Sequence, residues 1–184
     1  PAASAARNRA AQGRDTIELP FFDDFSAPSG EIDRSLWTPR GASLSTTMPD
    51  RPPSTGAILL DALDSLGNFY QNARYGSPTP ADTIESAPIN LLYPGSKSIY
   101  LSFYMQSGGL GGPPEECASL ALDFYSPTER KWDRIKSYPG GKAQPFKQEI
   151  IQISENKYLQ KGFKMRFRNY ISRGSQLAPD LVSN

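Results

Sequence analysis

Three stretches of the chain alternate apolar and polar residues with a period of two, a pattern that admits little besides a half-buried sheet. In SIYLSFYMQ (98–106), Leu101, Phe103 and Met105 fall on one face, with Tyr100, Ser102, Tyr104 and Gln106 on the other. SLALDFYS (119–126) sets Leu120, Leu122 and Phe124 against Ala121, Asp123 and Tyr125. GFKMRFRNY (162–170) sets Phe163, Met165 and Phe167 against Lys164, Arg166 and Arg168. Seventeen prolines and fifteen glycines interrupt any 3.6-residue periodicity. Short strands between turn clusters therefore predict an all-β sandwich, best drawn as an antiparallel two-sheet jelly roll.

With 184 residues, 38% of them hydrophobic, the chain can bury one substantial core, so one domain is expected over residues 19–173. Residues 1–18, PAASAARNRAAQGRDTIE, carry no large apolar side chain before Ile17 and read as a flexible N-terminal arm. A helix over Ala2 to Gln12 would be marginal in water by itself. Residues 174–184 read as a loop or a truncated C-terminal segment. The formal net charge is +1, but its distribution is uneven. Residues 129–173 hold twelve Lys or Arg against four Asp or Glu, whereas residues 1–123 hold eight against fourteen. That asymmetry predicts a basic strip, while the acidic first two-thirds disfavours a nucleic-acid partner.

Several chemistries are excluded by residue type. The chain has no histidine, which removes Ser-His-Asp and Cys-His catalysis and His-ligated zinc. Its one cysteine, Cys117, has no partner for an internal disulfide. No run approaches the length of a membrane-spanning helix, and the start at Pro1 points to a removed initiating segment. Carboxylate catalysis needs two groups held at a fixed separation, and the adjacent Glu115 and Glu116 would diverge. No enzyme activity is expected.

The stretch QSGGLGGPPEE (106–116) lacks the Lys and Ser/Thr of a phosphate cradle, and prolines stand where the helix should start. It reads as a corner between strands, glycines bending the backbone and prolines stiffening it. If the three alternating strands share one sheet, Tyr100, Tyr104, Tyr125, Lys164, Arg166 and Arg168 share its wet face. Such a mixture suits a protein partner or stacking on sugars. The plainer reading is a solvated strand face kept soluble by charge. Trp132, within KWDRI, reads as core or sheet packing.

The succession ADTIESAPINL, YLSFYMQSGGLG, SLALDFYSPTERKWDRIKSYPG and GFKMRFRNY, with the opening LPFFDDFS, resembles the MAM-like and concanavalin-like jelly-roll modules of exported Bacteroidota proteins. The resemblance covers roughly residues 19–173 and implies a place outside the cytoplasm: periplasmic, outer-membrane-associated or at the cell surface. That family closes with a further strand, which SQLAPDLVSN does not supply. Either the sequence is part of a longer chain or the strand comes from elsewhere. If it is missing, an edge stands open to another chain. Related sandwiches hold a structural calcium ion, for which Asp23, Asp24, Asp61 and Asp64 are the candidate ligands; their alternative role is capping turns. The function implied is a non-catalytic recognition module docking to another protein of the type IX secretion or gliding apparatus. The alternative is a carbohydrate-binding module stacking sugars on Trp37, Trp132 or the tyrosines.

Overall fold

The structure, a computed structural model, describes residues 16–26, 29–63 and 67–172. Ten strands run in chain order: β1 (Trp37–Arg40), β2 (Ser43–Ser45), β3 (Ala57–Leu59), β4 (Thr79–Ser86) and β5 (Ile89–Asn90). They continue with β6 (Tyr100–Ser107), β7 (Ser119–Ser126), β8 (Lys131–Pro139), β9 (Gln144–Gln152) and β10 (Lys161–Ile171). No helix occurs among the described residues. The expected all-β, antiparallel class holds.

The large sheet has the order β1-β4-β10-β7-β8, and β5 continues the β4 side along β10. Two smaller pairs, β6-β9 and β2-β3, lie outside it. Alternation along β10 and β7 turns Phe163, Met165, Leu122 and Phe124 into the core, where each is at most 4% exposed. From the β6-β9 pair, Leu101, Phe103 and Ile151 pack against that cluster. Phe103 meets Phe167 edge to face at 4.8 Å and Tyr138 at 6.2 Å, so the two sheets touch through aromatic contacts. Phe124, Tyr158 and Phe163 form a second aromatic knot, with centroids 5.1–6.2 Å apart. Each such pair is worth about 0.5–1.5 kcal/mol beyond its buried area.

The three alternating strands do not share one sheet. β7 and β10 are neighbours in the large sheet, but β6 pairs with β9 in the other layer. Period-two alternation decides which residues face inward and leaves open which sheet a strand joins. Of the two tryptophans, Trp37 is the buried one. Trp37 is 5% exposed, packs against Phe21 at 5.2 Å, and donates its Nε1–H to Asp23 at 2.9 Å. It has no free face for a sugar. Trp132 sits half-buried on the outer face, packed on the sheet beside Tyr125 rather than in the core.

The glycine-rich stretch is a corner, as its residues imply. It carries the chain from β6 in one layer to β7 in the other, and Gly108 and Gly109 both take positive φ, 86° and 54°. A Cβ on Gly109 would come within 2.4 Å of the Met48 carbonyl, which the next residue, Leu110, reaches with its N–H at 2.8 Å. Residues 16–18, counted with the arm on sequence grounds, pair with the sheet. Ile17 bridges Ile89, donating to the Pro88 carbonyl at 2.7 Å and accepting from Asn90 at 2.8 Å. Residues 1–15 and 173–184, and with them the proposed helix and C-terminal segment, lie outside the described residues.

Behind the large sheet's far edge, the inner face holds a buried polar tie. Asp82 on β4 is 1% exposed, accepting from the Asp61 N–H at 2.8 Å and the Tyr70 hydroxyl at 2.6 Å. Asn169 on β10 donates to the Asp61 carbonyl at 2.6 Å, so two strands grip the chain that follows β3. Burial pushes the Asp82 carboxyl upward, and the Tyr70 and Asp61 bonds pull the other way.

Candidate functional site

The outer face of the large sheet is built in rows across its strands. β10 presents Lys164, Arg166 and Arg168 at alternate positions because Phe163, Met165 and Phe167 are committed to the core. In one row, Arg134 of β8 stands opposite Asp123 of β7, Asp123 opposite Arg166 of β10, and Arg166 opposite Glu85 of β4. Cation and anion alternate across four strands, an order that favours each cross-strand neighbour by about 0.2–1 kcal/mol.

Asp123 is the hub of that row. Its side chain is 3% exposed and its two oxygens accept from Arg166 Nε at 2.8 Å and from Arg134 Nε, while Arg168 reaches it at 3.9 Å. A buried carboxylate is costly unless paired, and here three guanidinium groups share the task. The cations are held from the aromatic side as well. Arg166 lies 4.1 Å over the Trp132 ring, and Lys164 sits 5.3 Å from Tyr125 and 5.5 Å from Trp132 while pairing with Glu85. Tyr170 stands between two arginines, its hydroxyl accepting from Arg134 at 2.8 Å and Arg168 at 3.4 Å. These contacts fix the guanidinium planes in place, and fixed forks bind with less entropy loss than free ones.

The outer face of the β6-β9 pair is a different surface. Register places Tyr100 opposite Gln152, Ser102 opposite Ile150 and Tyr104 opposite Gln148. Tyr100, Tyr104 and Ile150 are 56, 52 and 60% exposed. Gln148 donates to Ser102 at 3.0 Å, and Gln152 to the Lys97 carbonyl at 2.7 Å. None of these six residues is charged.

The six sequence-predicted binding residues are therefore split. Tyr125, Lys164, Arg166 and Arg168 are gathered on the outer face of the large sheet, and Tyr100 and Tyr104 lie on the outer face of the other layer. Residues missed on the charged face are Arg40, Arg134 and Tyr170; on the neutral face, Ile150. The run KWDRIK did carry the signal for Arg134, since Trp132 and Arg134 are two apart and share a face. The register shift between Leu122 and Asp123 then ends that alternation, so continuing it along β8 misplaces Lys136.

Lys136 instead meets Glu149 of β9 at 2.6 Å, with Lys147 on the same carboxylate at 2.8 Å. These two hydrogen-bonded ammonium groups draw the Glu149 carboxyl down to about 2. On the same side, Asp133 of β8 accepts from Lys157 and Tyr158, each at 2.8 Å; the Lys157 bond, then the Tyr158 bond, hold its carboxyl below the usual range.

Three of the four acidic residues expected to hold calcium are described, and each accepts hydrogen bonds from nearby groups. Asp23 accepts from the Phe25 N–H and Trp37 Nε1, both at 2.9 Å; Asp24 accepts from the Ser26 hydroxyl at 2.6 Å; Asp61 caps Leu63 at 2.7 Å. Asp64 lies outside the described residues. Among the described residues no three acidic, cysteine or histidine side chains come together as a metal-holding group. The turn-capping alternative describes Asp24 and Asp61 directly. Likewise, no helix among the described residues is long and apolar enough to cross a membrane.

A scan against protein-family models finds no match, and a search of curated proteins finds none.

Proposed function

We propose that this chain is a non-catalytic recognition module that docks to another protein, built on an antiparallel β-sandwich of the jelly-roll kind. The observation that carries this reading is the pre-organised cation surface of the large sheet. The outward positions just described hold Arg134, Lys164, Arg166 and Arg168 against Asp123 and Glu85. A charged and aromatic sheet face suits a macromolecular partner, and arginine, tyrosine and tryptophan are the residues that dominate such contacts. Its carboxylates are occupied as ion-pair acceptors, which leaves them poorly placed for acid–base work. The resemblance to exported Bacteroidota modules supports a setting outside the cytoplasm, with the outer-membrane type IX secretion or gliding apparatus as the partner system.

A second reading has its own support. The neutral Tyr100, Tyr104 and Ile150 face, edged by Gln148 and Gln152, offers rings and amides of the kind that bind a carbohydrate chain. The two readings use opposite faces and separate cleanly. Affinity purification of the full-length protein from its native envelope, without crosslinker, is expected to yield a stoichiometric outer-membrane partner that rising salt releases from the unaltered chain. Recovery of the protein alone, with glycan-array binding abolished by Tyr100→Ala and Tyr104→Ala, would establish the second reading instead.

A further inference from the structure

The charged face is not uniformly neutralised, and the imbalance has an address. The row through Arg134, Asp123, Arg166 and Glu85 contains its own counter-ions. The next row along the strands runs Ser137, Ala121, Arg168, Thr83 and Arg40, across β8, β7, β10, β4 and β1. It holds two arginines and no acid. Arg40 is exposed and makes no ion pair among the described residues. Arg168 has only the long 3.9 Å contact to Asp123, whose oxygens already serve Arg134 and Arg166 at shorter range.

We infer that this row is a carboxylate-binding site for an acidic, extended segment of a protein partner, with one Asp or Glu side chain lying over Thr83. Resting on the docking reading, this names the chemistry of what docks. Arg168 and Arg40 flank Thr83 on neighbouring strands, so their Cα atoms stand about 9–10 Å apart, two inter-strand spacings. Side chains of arginine length close that gap onto one carboxylate, and each guanidinium offers a planar fork that matches carboxylate oxygens. The Thr83 hydroxyl supplies a further donor beneath. Arg168 donates from Nη1 to Tyr170, and its Nη2 stands 3.9 Å from Asp123, so the remaining N–H groups of its five are those a ligand would take.

A polypeptide is the occupant favoured over a free inorganic anion or an anionic glycan. Lys164, Arg166 and Arg168 recur every second residue along β10, a spacing of about 7 Å. An extended peptide laid along that strand repeats its side chains at the same interval. Its first acid fills the empty row, and its neighbours meet the edges of the cations already paired.

The test uses the full chain and an acetylated, amidated peptide Thr-Glu-Thr-Glu-Thr-Glu-Thr, with the Gln-for-Glu peptide, sodium sulfate and oligogalacturonate as comparison probes. Binding is followed by arginine side-chain Nε–Hε shifts. Saturable binding of the Glu peptide is expected, with the Arg168 resonance moving most. Affinity should fall about tenfold in the double variant Arg40→Ala, Arg168→Ala, and further with rising salt. Neither substitution removes a short bond to Asp123, and an unchanged thermal midpoint confirms that the variant is folded. Equal affinity for the Gln peptide, or no loss in the double variant, overturns the inference. Sulfate or oligogalacturonate binding at least as tightly as the Glu peptide overturns the peptide occupant. If the envelope partner is retained by the double variant but lost with Tyr100→Ala and Tyr104→Ala, docking stands and this site falls. If the peptide binds as expected while no envelope partner is recovered, the site stands and the docking reading falls.

Discussion

The two outer faces of this molecule solve opposite problems with the same backbone period. On the large sheet, outward positions carry ions, and each ion is bound to its neighbours: Asp123 by three arginines, Glu85 by Lys164, and Tyr170 by two guanidinium groups. On the β6-β9 pair, the central outward positions carry rings, amides, a hydroxyl and one aliphatic side chain, tied by neutral bonds such as Gln148 to Ser102 and by no ion pair among the described residues. The charged face is thus part of the fold's stability, whereas the neutral face is nearly independent of it. A face whose residues do structural work must be probed with care, because a lost partner and a loosened sheet look alike.

The largest expected effect follows from that difference. Replacing Asp123 by Ala leaves Arg134, Arg166 and Arg168 crowded together without their shared anion. Breaking a buried pair costs about 3–5 kcal/mol, and solvent around Arg134, 41% exposed, screens part of that. A destabilisation of about 2–3 kcal/mol is expected, read as a lower urea midpoint with an unchanged m-value. Tyr104→Ala, on the neutral face, should move the midpoint by less than about 0.5 kcal/mol equivalent. Equal effects from the two substitutions would end the contrast drawn between the faces.

A similar loss is expected where the backbone itself is constrained. Gly41, just beyond β1, has φ of 78°, and a Cβ there would fall 1.8 Å from an Asp82 oxygen. Gly41→Ala combines a strained conformation with displacement of Asp82 from Tyr70 and the Asp61 N–H. Stranding those buried partners costs about 1–3 kcal/mol. The melting temperature should fall accordingly, while Gly95→Ala, with nothing within 4 Å, should suffer only from its positive φ.

The sequence made these strands and their facing legible, since the alternation in β6, β7 and β10 is unbroken and the core residues are where it puts them. It left the pairing open. Nothing in SIYLSFYMQ distinguishes a strand beside β7 from one across the core, because both bury Leu101 and Phe103 equally well. For the same reason Tyr100 and Tyr104 were expected beside Arg166, when the core lies between them. Which tryptophan is fully buried is not legible either, because burial of an indole is decided by partners far along the chain: Asp23 and Phe21 for Trp37, Arg166 for Trp132. The glycine and proline corner was readable because its signal is local. Arg40 and Thr83, which frame the unfilled row, are brought together only by the β1-β4 register, and no local pattern announces them.

Acid should act on the contact between the layers rather than on either outer face. Glu149 of β9 joins Lys136 of β8, and its carboxyl is depressed to about 2 from an ordinary 4.5. The folded protein therefore binds fewer protons there than the unfolded chain does. That contribution is complete above pH 4.5 and disappears as the pH falls toward 2. Glu149→Gln should lower the melting temperature at pH 7, and the gap from the parent should close across that window. A gap that stayed constant from pH 7 to pH 2 would mean that the carboxylate's charge contributes nothing to holding the two sheets together.

The smallest effect tests the neutral face itself. Ile150 is 60% exposed and lies opposite Ser102 on β6, so Ile150→Thr removes little buried area and keeps a β-branched residue in the strand. Stability should stay within about 0.5 kcal/mol of the parent. A larger loss would show that something in the solution state covers this face, because an exposed side chain with no partner has little folding energy to lose. With stability unchanged, an altered affinity for any ligand could be assigned to contact at Ile150 alone, which the charged face, with its shared Asp123, does not allow for Arg166.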